Sequence, residues 1–332
     1  MNILTVAGAG SWGTALAIVL APRFREVRLW VYEQDLAGRM RESRENDVYL
    51  PGFRLPENIR IETGFPEALE GADVVLSVAP SHVTRATYAR MLPHLPPSAL
   101  FVSATKGIET KTLLRMSQVI GEVAGPRFSP RVAVLSGPTF AREVAAGEPT
   151  ALVISSPDRE LNDTIQHAFS GPTFRLYTNT DPVGVELAAS LKNVIAIGAG
   201  VCNGLGLGNN TTSALITRGL AEITRLAVAL GGDPRTLAGL AGLGDLVLTC
   251  TGALSRNRQV GIELGRGRSL EEIVGSMRMV AEGVHTTYAA VDLARKCAIE
   301  MPITGQVNAI LHGERGPREA IRELMERTLK GE

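Results

Sequence analysis

The chain has little cysteine and no excess of charge of either sign. Its three cysteines, Cys202, Cys250 and Cys297, are odd in number and far apart. No CxxC pair and no His–Cys cluster has zinc-ligand spacing, so no metal site is expected, and a reduced cytoplasm is the simplest setting. The 34 basic and 34 acidic residues cancel. That balance excludes an overall electrostatic footprint for nucleic acid or for an anionic membrane. The start, "MNILTVAGAG", has neither a basic n-region nor a long apolar core, and does not read as a signal peptide. The uncharged run between Lys192 and Arg218 is broken by glycine, asparagine and threonine, too polar for a membrane span. The chain has no internal repeat, no low-complexity tract and no Ser/Gly-rich or charge-rich linker.

What is present is the material of an ordinary globular protein. The 332 residues, 45% apolar and 20% charged, suggest two domains and are ample for a full core. Short β-rich runs at 3–7, 27–31, 59–62, 74–78, 100–103, 132–135 and 152–155 read as strands. Helical windows fall between several of them, at 12–21, 83–91 and 111–124. Strands buried on both faces and separated by helices predict a mostly parallel, Rossmann-type α/β sheet. The texture changes at "DPVGVELAAS", where Asp181 is a helix N-cap and Pro182 the first helical position. Helices are expected at 211–230, 255–264, 302–311 and 317–328, with a Ser269/Glu272 capping box. The reading is therefore a dinucleotide-binding domain over 1–180 and an all-helical substrate domain over 181–332.

"ILTVAGAGSWGTALA" places Gly8, Gly10 and Gly13 directly after the first strand, opening a helix. Gly8 permits the tight turn, Gly10 lets backbone approach a pyrophosphate, and Gly13 lets helix pack on strand. The helix start supplies N–H donors and a positive dipole end. The pattern fits a dinucleotide site; a merely tight βα turn is the plainer alternative. The second strand runs into Glu33, placed for an adenosine ribose diol or else a solvated loop residue.

One lysine stands out. In "ELAASLKNVIAIGAGV", read as a helix, Lys192 shares a face with Ala188, Ala189, Ile195 and Ala196. Glu186 is at the wrong helical spacing to partner it. An ammonium on an apolar stripe is either a snorkelling surface lysine or a functional group. Four further stretches carry polar groups to strand ends and helix starts. They are "FVSATKGIE" with Lys106, "LSGPTFAREVA" with Gly137, Thr139 and Ala141, "GLGDLVLTC" with Asp245, and "LSRNRQVG" with Ser255, Arg256 and Asn257. The last suits a phosphate, although a cap and a solvated turn would look the same.

Taken together, "GAGSWGTALA", "NDVYLPG", "SATKGIE", "SGPTFAREVA", "SLKNVIAIGAGV", "GLGLGNN", "LITRGLAEI", "LAGLGDLVLTCTG", "SRNRQVG" and "VAEGV" closely resemble the bacterial NAD(P)-dependent sn-glycerol-3-phosphate dehydrogenase family. The resemblance runs nearly end to end and thins beyond about residue 300. It implies reversible hydride transfer between dihydroxyacetone phosphate and sn-glycerol 3-phosphate, supplying phospholipid synthesis, in a cytoplasmic homodimer. It implies Lys192 as the catalytic proton donor and acceptor. Lys106, Gly137, Thr139, Asp245, Ser255, Arg256 and Asn257 would bind substrate. Ser11, Trp12, Lys106, Ala141, Arg256, Val280 and Glu282 would bind the cofactor beside the glycine turn.

The physical chemistry agrees. Reducing a ketone needs a proton on oxygen and stabilisation of the negative charge developing there. Burial lowers the pKa of an ammonium and a nearby carboxylate opposes that fall; Asp245 is the candidate carboxylate, and small neighbours would leave room for substrate. Two departures from the family pattern matter. Val31, Tyr32 and Glu33 stand where many bacterial members have alanine and then arginine, which favours NAD over NADP. Cys202-Asn203 replaces the usual Ala-Asp or Cys-Asp. Two rival readings are a β-hydroxyacid dehydrogenase of the 6-phosphogluconate type and a dinucleotide sensor without turnover.

Overall fold

Ten strands form between residues 3 and 179. They are β1 (Ile3–Ala7), β2 (Glu26–Trp30), β3 (Glu45–Asn46), β4 (Leu50–Arg54), β5 (Ile59–Glu62), β6 (Val74–Ser77), β7 (Leu100–Ser103), β8 (Arg131–Ser136), β9 (Thr150–Ser155) and β10 (Phe174–Asn179). The computed structural model describes residues 1–277, 281–329 and 331. Eight strands make one sheet in the order β10-β9-β8-β7-β6-β1-β2-β5, and β3 and β4 pair as a separate antiparallel ribbon. Every pairing in the large sheet is parallel except β8 with β9. The strand order turns back between β1 and β6, which is the switch point where open α/β sheets bind ligands.

The chain divides into two compact units. The first comprises Met1–Glu109 and Leu114–Glu186, the second Thr110–Leu113 and Leu187–Glu332. The first has apolar layers on both faces of the sheet. One includes Leu4, Val6, Leu16, Leu29 and Leu76; the other includes Trp30, Phe65, Tyr88 and Phe101. In the second unit no strand occurs among the described residues. Its helices include Asn209–Ala229, Asp245–Thr251, Arg256–Gly265, Leu270–Ser276, Glu282–Lys296, Pro302–Leu311 and Pro317–Met325. The Ser269/Glu272 capping box is formed.

The Lys192 helix runs from Pro182 to Gly204, with Asp181 Oδ1 accepting from the Gly184 amide near its start. It is long and apolar enough to cross a membrane, but its most apolar stretch is wholly buried inside the protein. Two glycines on it explain how it packs. A Cβ at Gly200 would lie 2.0 Å from the Arg258 carbonyl oxygen, and one at Gly261 would lie 2.0 Å from that of Ile197. The backbones of this helix and of Arg256–Gly265 therefore touch with no side-chain layer between them.

The structure departs from the sequence reading in four places. The helix expected at 111–124 begins only at Met116. Before it, Ile108 and Arg115 bridge antiparallel, and the Glu109 amide donates to the Leu114 carbonyl across a turn. The ribbon β3–β4 is absent from the sequence reading because Pro51 and Gly52 break its pattern. β10 is a further strand outside the sequence reading, in which Phe174 and Leu176 point in while Arg175 and Tyr177 point out. The helix Glu282–Lys296 completes the second unit and was likewise unassigned.

Candidate active site

In the first unit the glycine turn has the shape of a phosphate cradle. Gly8 adopts a φ of +124°, in the region that favours glycine. A Cβ at Gly13 would lie 1.9 Å from the Gly8 carbonyl oxygen, so the turn closes only without one. At Gly10, by contrast, a Cβ would meet nothing within 4 Å, so the backbone there faces open space. The helix Ser11–Leu20 starts at that point with no side chain capping it. An open, uncapped helix start beside a turn that excludes side chains fits a dinucleotide pyrophosphate. Trp12 packs against the core beneath, its indole nitrogen buried without a partner.

The β3–β4 ribbon is tied to this turn. Asn46 donates its side-chain amide to the Ala9 carbonyl at 2.9 Å and to Thr14 Oγ1 at 2.8 Å. Ser11 Oγ donates to the Tyr49 carbonyl at 2.6 Å. Glu33, exposed just past β2, accepts from Tyr49 Oη at 2.7 Å. Glu33 thus has a side-chain partner while remaining exposed. Elsewhere in the first unit, Lys106 Nζ lies 3.5 Å from the Gly137 carbonyl and 3.4 Å from Thr139 Oγ1. Ala141 begins the short helix Ala141–Ala145.

At the end of the first unit, Glu186 is buried, accepting from Arg115, from Ser117 Oγ at 2.6 Å and from the Ser117 amide at 2.8 Å. It is thus committed elsewhere, as its helical spacing from Lys192 requires.

In the second unit, Lys192 is 4% exposed and Asp245 is 0% exposed. The ammonium donates to Asp245 Oδ1 and, at 2.9 Å, to Thr249 Oγ1. Thr249, one turn on from Asp245, donates its hydroxyl to the Asp245 carbonyl at 2.6 Å. Lys192 is therefore no snorkelling surface residue; its charge is compensated and its direction set by two groups on one facing helix. Next to Thr249, Cys250 is a buried thiol pushed up to about 12 by burial, which keeps it out of nucleophilic chemistry. Ala188, Ala189 and Ala196 do not line open room as the sequence suggested. Each is at most 2% exposed and covered by protein.

Ser255 caps the helix Arg256–Gly265, its Oγ accepting from the Arg258 amide at 3.2 Å. Asn257 Oδ1 accepts from the Gly283 amide at 3.0 Å, which joins this helix start to that of Glu282–Lys296. Burial lowers the Arg256 pKa from its ordinary value, and the charge of Glu282 opposes that fall. Val280 lies outside the described residues. Asn203, the departure from Asp, accepts from Arg258 Nε at 3.0 Å, so a neutral amide meets that guanidinium here. Sequence reading missed Tyr49; "NDVYLPG" marked the segment but gave the tyrosine no role. Among the described residues, no group of His, Cys, Asp and Glu could hold a metal ion.

Comparison with known proteins decides the family. Residues 3–162 match the N-terminal model of NAD-dependent glycerol-3-phosphate dehydrogenase, and residues 181–322 match its C-terminal model. The chain belongs to the NAD-dependent glycerol-3-phosphate dehydrogenase family. The tail beyond residue 300, poor in recognisable motifs, is thus inside the match as far as 322. A glycerol-3-phosphate dehydrogenase [NAD(P)+] of Koribacter versatilis is 59% identical over 98% of each chain. One of Syntrophotalea carbinolica is 54% identical, covering 100% of this chain and 99% of its own. The crystal structure of the Coxiella burnetii glycerol-3-phosphate dehydrogenase superposes with a TM-score of 0.94 at 42% identity, over 98% of this chain and 99% of that one. These matches leave the 6-phosphogluconate-type reading without support.

Proposed function

We propose that Lys192 is the proton donor and acceptor of this enzyme, which interconverts dihydroxyacetone phosphate and sn-glycerol 3-phosphate with NAD or NADP. The single observation that carries the role of Lys192 is its burial between Asp245 and Thr249. In ketone reduction, a bound nicotinamide supplies the hydride to the carbonyl carbon. Lys192 supplies the proton to the carbonyl oxygen, and its charge stabilises the oxyanion as it develops. Asp245 fixes the ammonium and Thr249 orients it. In the oxidative direction Lys192 takes the hydroxyl proton back.

The remaining assignments follow the division of the sequence at residue 180. Residues 1–180 form the dinucleotide domain, with Gly8, Gly10, Ser11, Trp12, Gly13, Glu33 and Ala141 towards the cofactor. Residues 181–332 form the substrate domain, where Asp245, Ser255, Arg256 and Asn257 receive the phosphorylated three-carbon substrate. Lys106, Gly137 and Thr139 complete the substrate contacts. Lys106, Arg256 and Glu282 are also assigned to the cofactor. Glu33 in place of an arginine favours NADH. The protein works as a cytoplasmic homodimer that neither inserts into membranes nor binds nucleic acid. A spectrophotometric assay of NADH oxidation with dihydroxyacetone phosphate tests the activity. Turnover of the phosphorylated ketone is expected; turnover of a β-hydroxyacid instead would overturn the reading.

A further inference from the structure

The β3–β4 ribbon does more than brace the glycine turn. Tyr49 is fixed at its backbone on two sides: its carbonyl accepts from Ser11 Oγ at 2.6 Å, and its amide donates to Asn46 Oδ1 at 2.9 Å. Its side chain then reaches the end of β2, where the hydroxyl donates to Glu33 Oε1 at 2.7 Å. Among the described residues the Glu33 carboxylate makes no other side-chain hydrogen bond: it stands at the N-cap position of the helix Gln34–Ser43 without making a capping bond. A glutamate on an exposed loop otherwise samples several rotamers. Here one carboxylate oxygen is tied to a residue that is itself tied to the glycine turn.

The turn of the same ribbon also holds an arginine of the helix that follows Glu33. Arg39 donates to both carboxylate oxygens of Asp47, at 3.0 and 3.2 Å. The other arginines of that helix and its end are also engaged. Arg41 donates to the Ile61 carbonyl, and Arg44 to those of Ile59 and Pro56. The Tyr49 phenol, pushed up to about 12 chiefly by its bond to Glu33, stays a donor throughout the neutral range.

We propose that this ribbon is the cofactor selector of the chain: Tyr49 is a positioning residue that orients Glu33 towards an adenosine ribose diol, and Asp47 occupies Arg39, the guanidinium that would otherwise answer a 2′-phosphate. A diol can donate to the oriented carboxylate, whereas a 2′-phosphate meets a like charge. The inference rests on the reading of Glu33 as a cofactor residue.

The test measures dissociation constants of NADH and NADPH by titration calorimetry, without turnover, for wild type, Tyr49→Phe, Asp47→Asn and Glu33→Gln. Circular dichroism checks that each variant is folded. Tyr49→Phe is expected to weaken NADH by roughly three- to tenfold, the worth of one hydrogen bond, and to leave NADPH within about twofold. Asp47→Asn is expected to tighten NADPH by roughly two- to fivefold, as befits an exposed ion pair. Equal weakening of both cofactors by Tyr49→Phe would make its role merely structural and overturn the proposal. A ratio moved by Glu33→Gln but not by Tyr49→Phe would overturn the positioning role and leave Glu33 standing. A ratio moved by neither would overturn both.

Discussion

Lys192 and Asp245, 53 residues apart in sequence, meet as an ion pair that is almost entirely buried. Such a pair is weak evidence of net stability but costly to break. Removing one partner strands a buried charge, at roughly 3–5 kcal/mol. Lys192→Met is therefore expected to lower both kcat, by ~10²–10⁴-fold, and the melting temperature. Lys192→Met with Asp245→Asn removes both charges, and should recover much of the stability and none of the activity. Melting curves and steady-state kinetics on both variants check this. More than a tenth of wild-type kcat in the folded single variant would show that Lys192 is not the proton donor.

Arg256 stands at an N-terminus whose backbone is capped by Ser255, with Glu282 acting on its charge. Arg256→Ala is expected to raise KM for dihydroxyacetone phosphate far more than for dihydroxyacetone. The lost charge-assisted contact should be worth roughly 1.5–3 kcal/mol. Equal losses for the two ketones would move Arg256 away from the phosphate.

Glu33→Arg replaces a carboxylate by a guanidinium at the end of β2. The expected outcome is a shift of kcat/KM towards NADPH from a wild type that prefers NADH, measured for both cofactors at saturating ketone. A wild type favouring NADPH by tenfold, about 1.4 kcal/mol, would contradict the assignment of Glu33.

Glu222 offers a test of stability rather than activity. It is 2% exposed and accepts from the Ile303 and Thr304 amides, at 2.6 and 3.1 Å, and from Thr304 Oγ1. Burial pushes its pKa up despite those donors. A carboxyl raised in the folded state contributes stability that is full below its unfolded value and is lost as pH rises through its folded value. Glu222→Gln removes this titration. The melting temperature of wild type minus that of the variant should therefore fall as pH rises above about 4.5. A difference independent of pH between 4.5 and 7 would show that burial does not dominate at Glu222.

The parallel sheet, the glycine turn and the change to helices near residue 181 were legible because they depend on local signals: β-branched runs, glycine spacing and an Asp-Pro helix start. Lys192 was legible as an anomaly, a cation on an apolar face. Asp245 is suggested as its partner by its place in a Gly-rich, apolar stretch, whereas Thr249 reaches the ammonium only because 245–251 is helical. The ribbon was illegible because Pro51 and Gly52 look like loop residues, and its pairing is made by contacts to Ala9, Ser11 and Thr14 more than 30 residues away. Ala188, Ala189 and Ala196 were misread because a small residue looks the same in sequence whether it admits a substrate or another helix.

The glycine contact between the helices Pro182–Gly204 and Arg256–Gly265 has a consequence for how this enzyme can change. One helix carries Lys192, and the other begins at the proposed phosphate contacts. Where backbones touch at Gly200 and Gly261, no rotamer can be swapped and no methylene trimmed to adjust the gap. The interval between proton donor and phosphate end then behaves as a ruler cut to one length. Conservative drift elsewhere in the core leaves it untouched, whereas a single added methyl at either glycine must lengthen it or break it. Longer or shorter substrates cannot be reached from this scaffold by gradual repacking of that seam, only by rebuilding the segments at its ends.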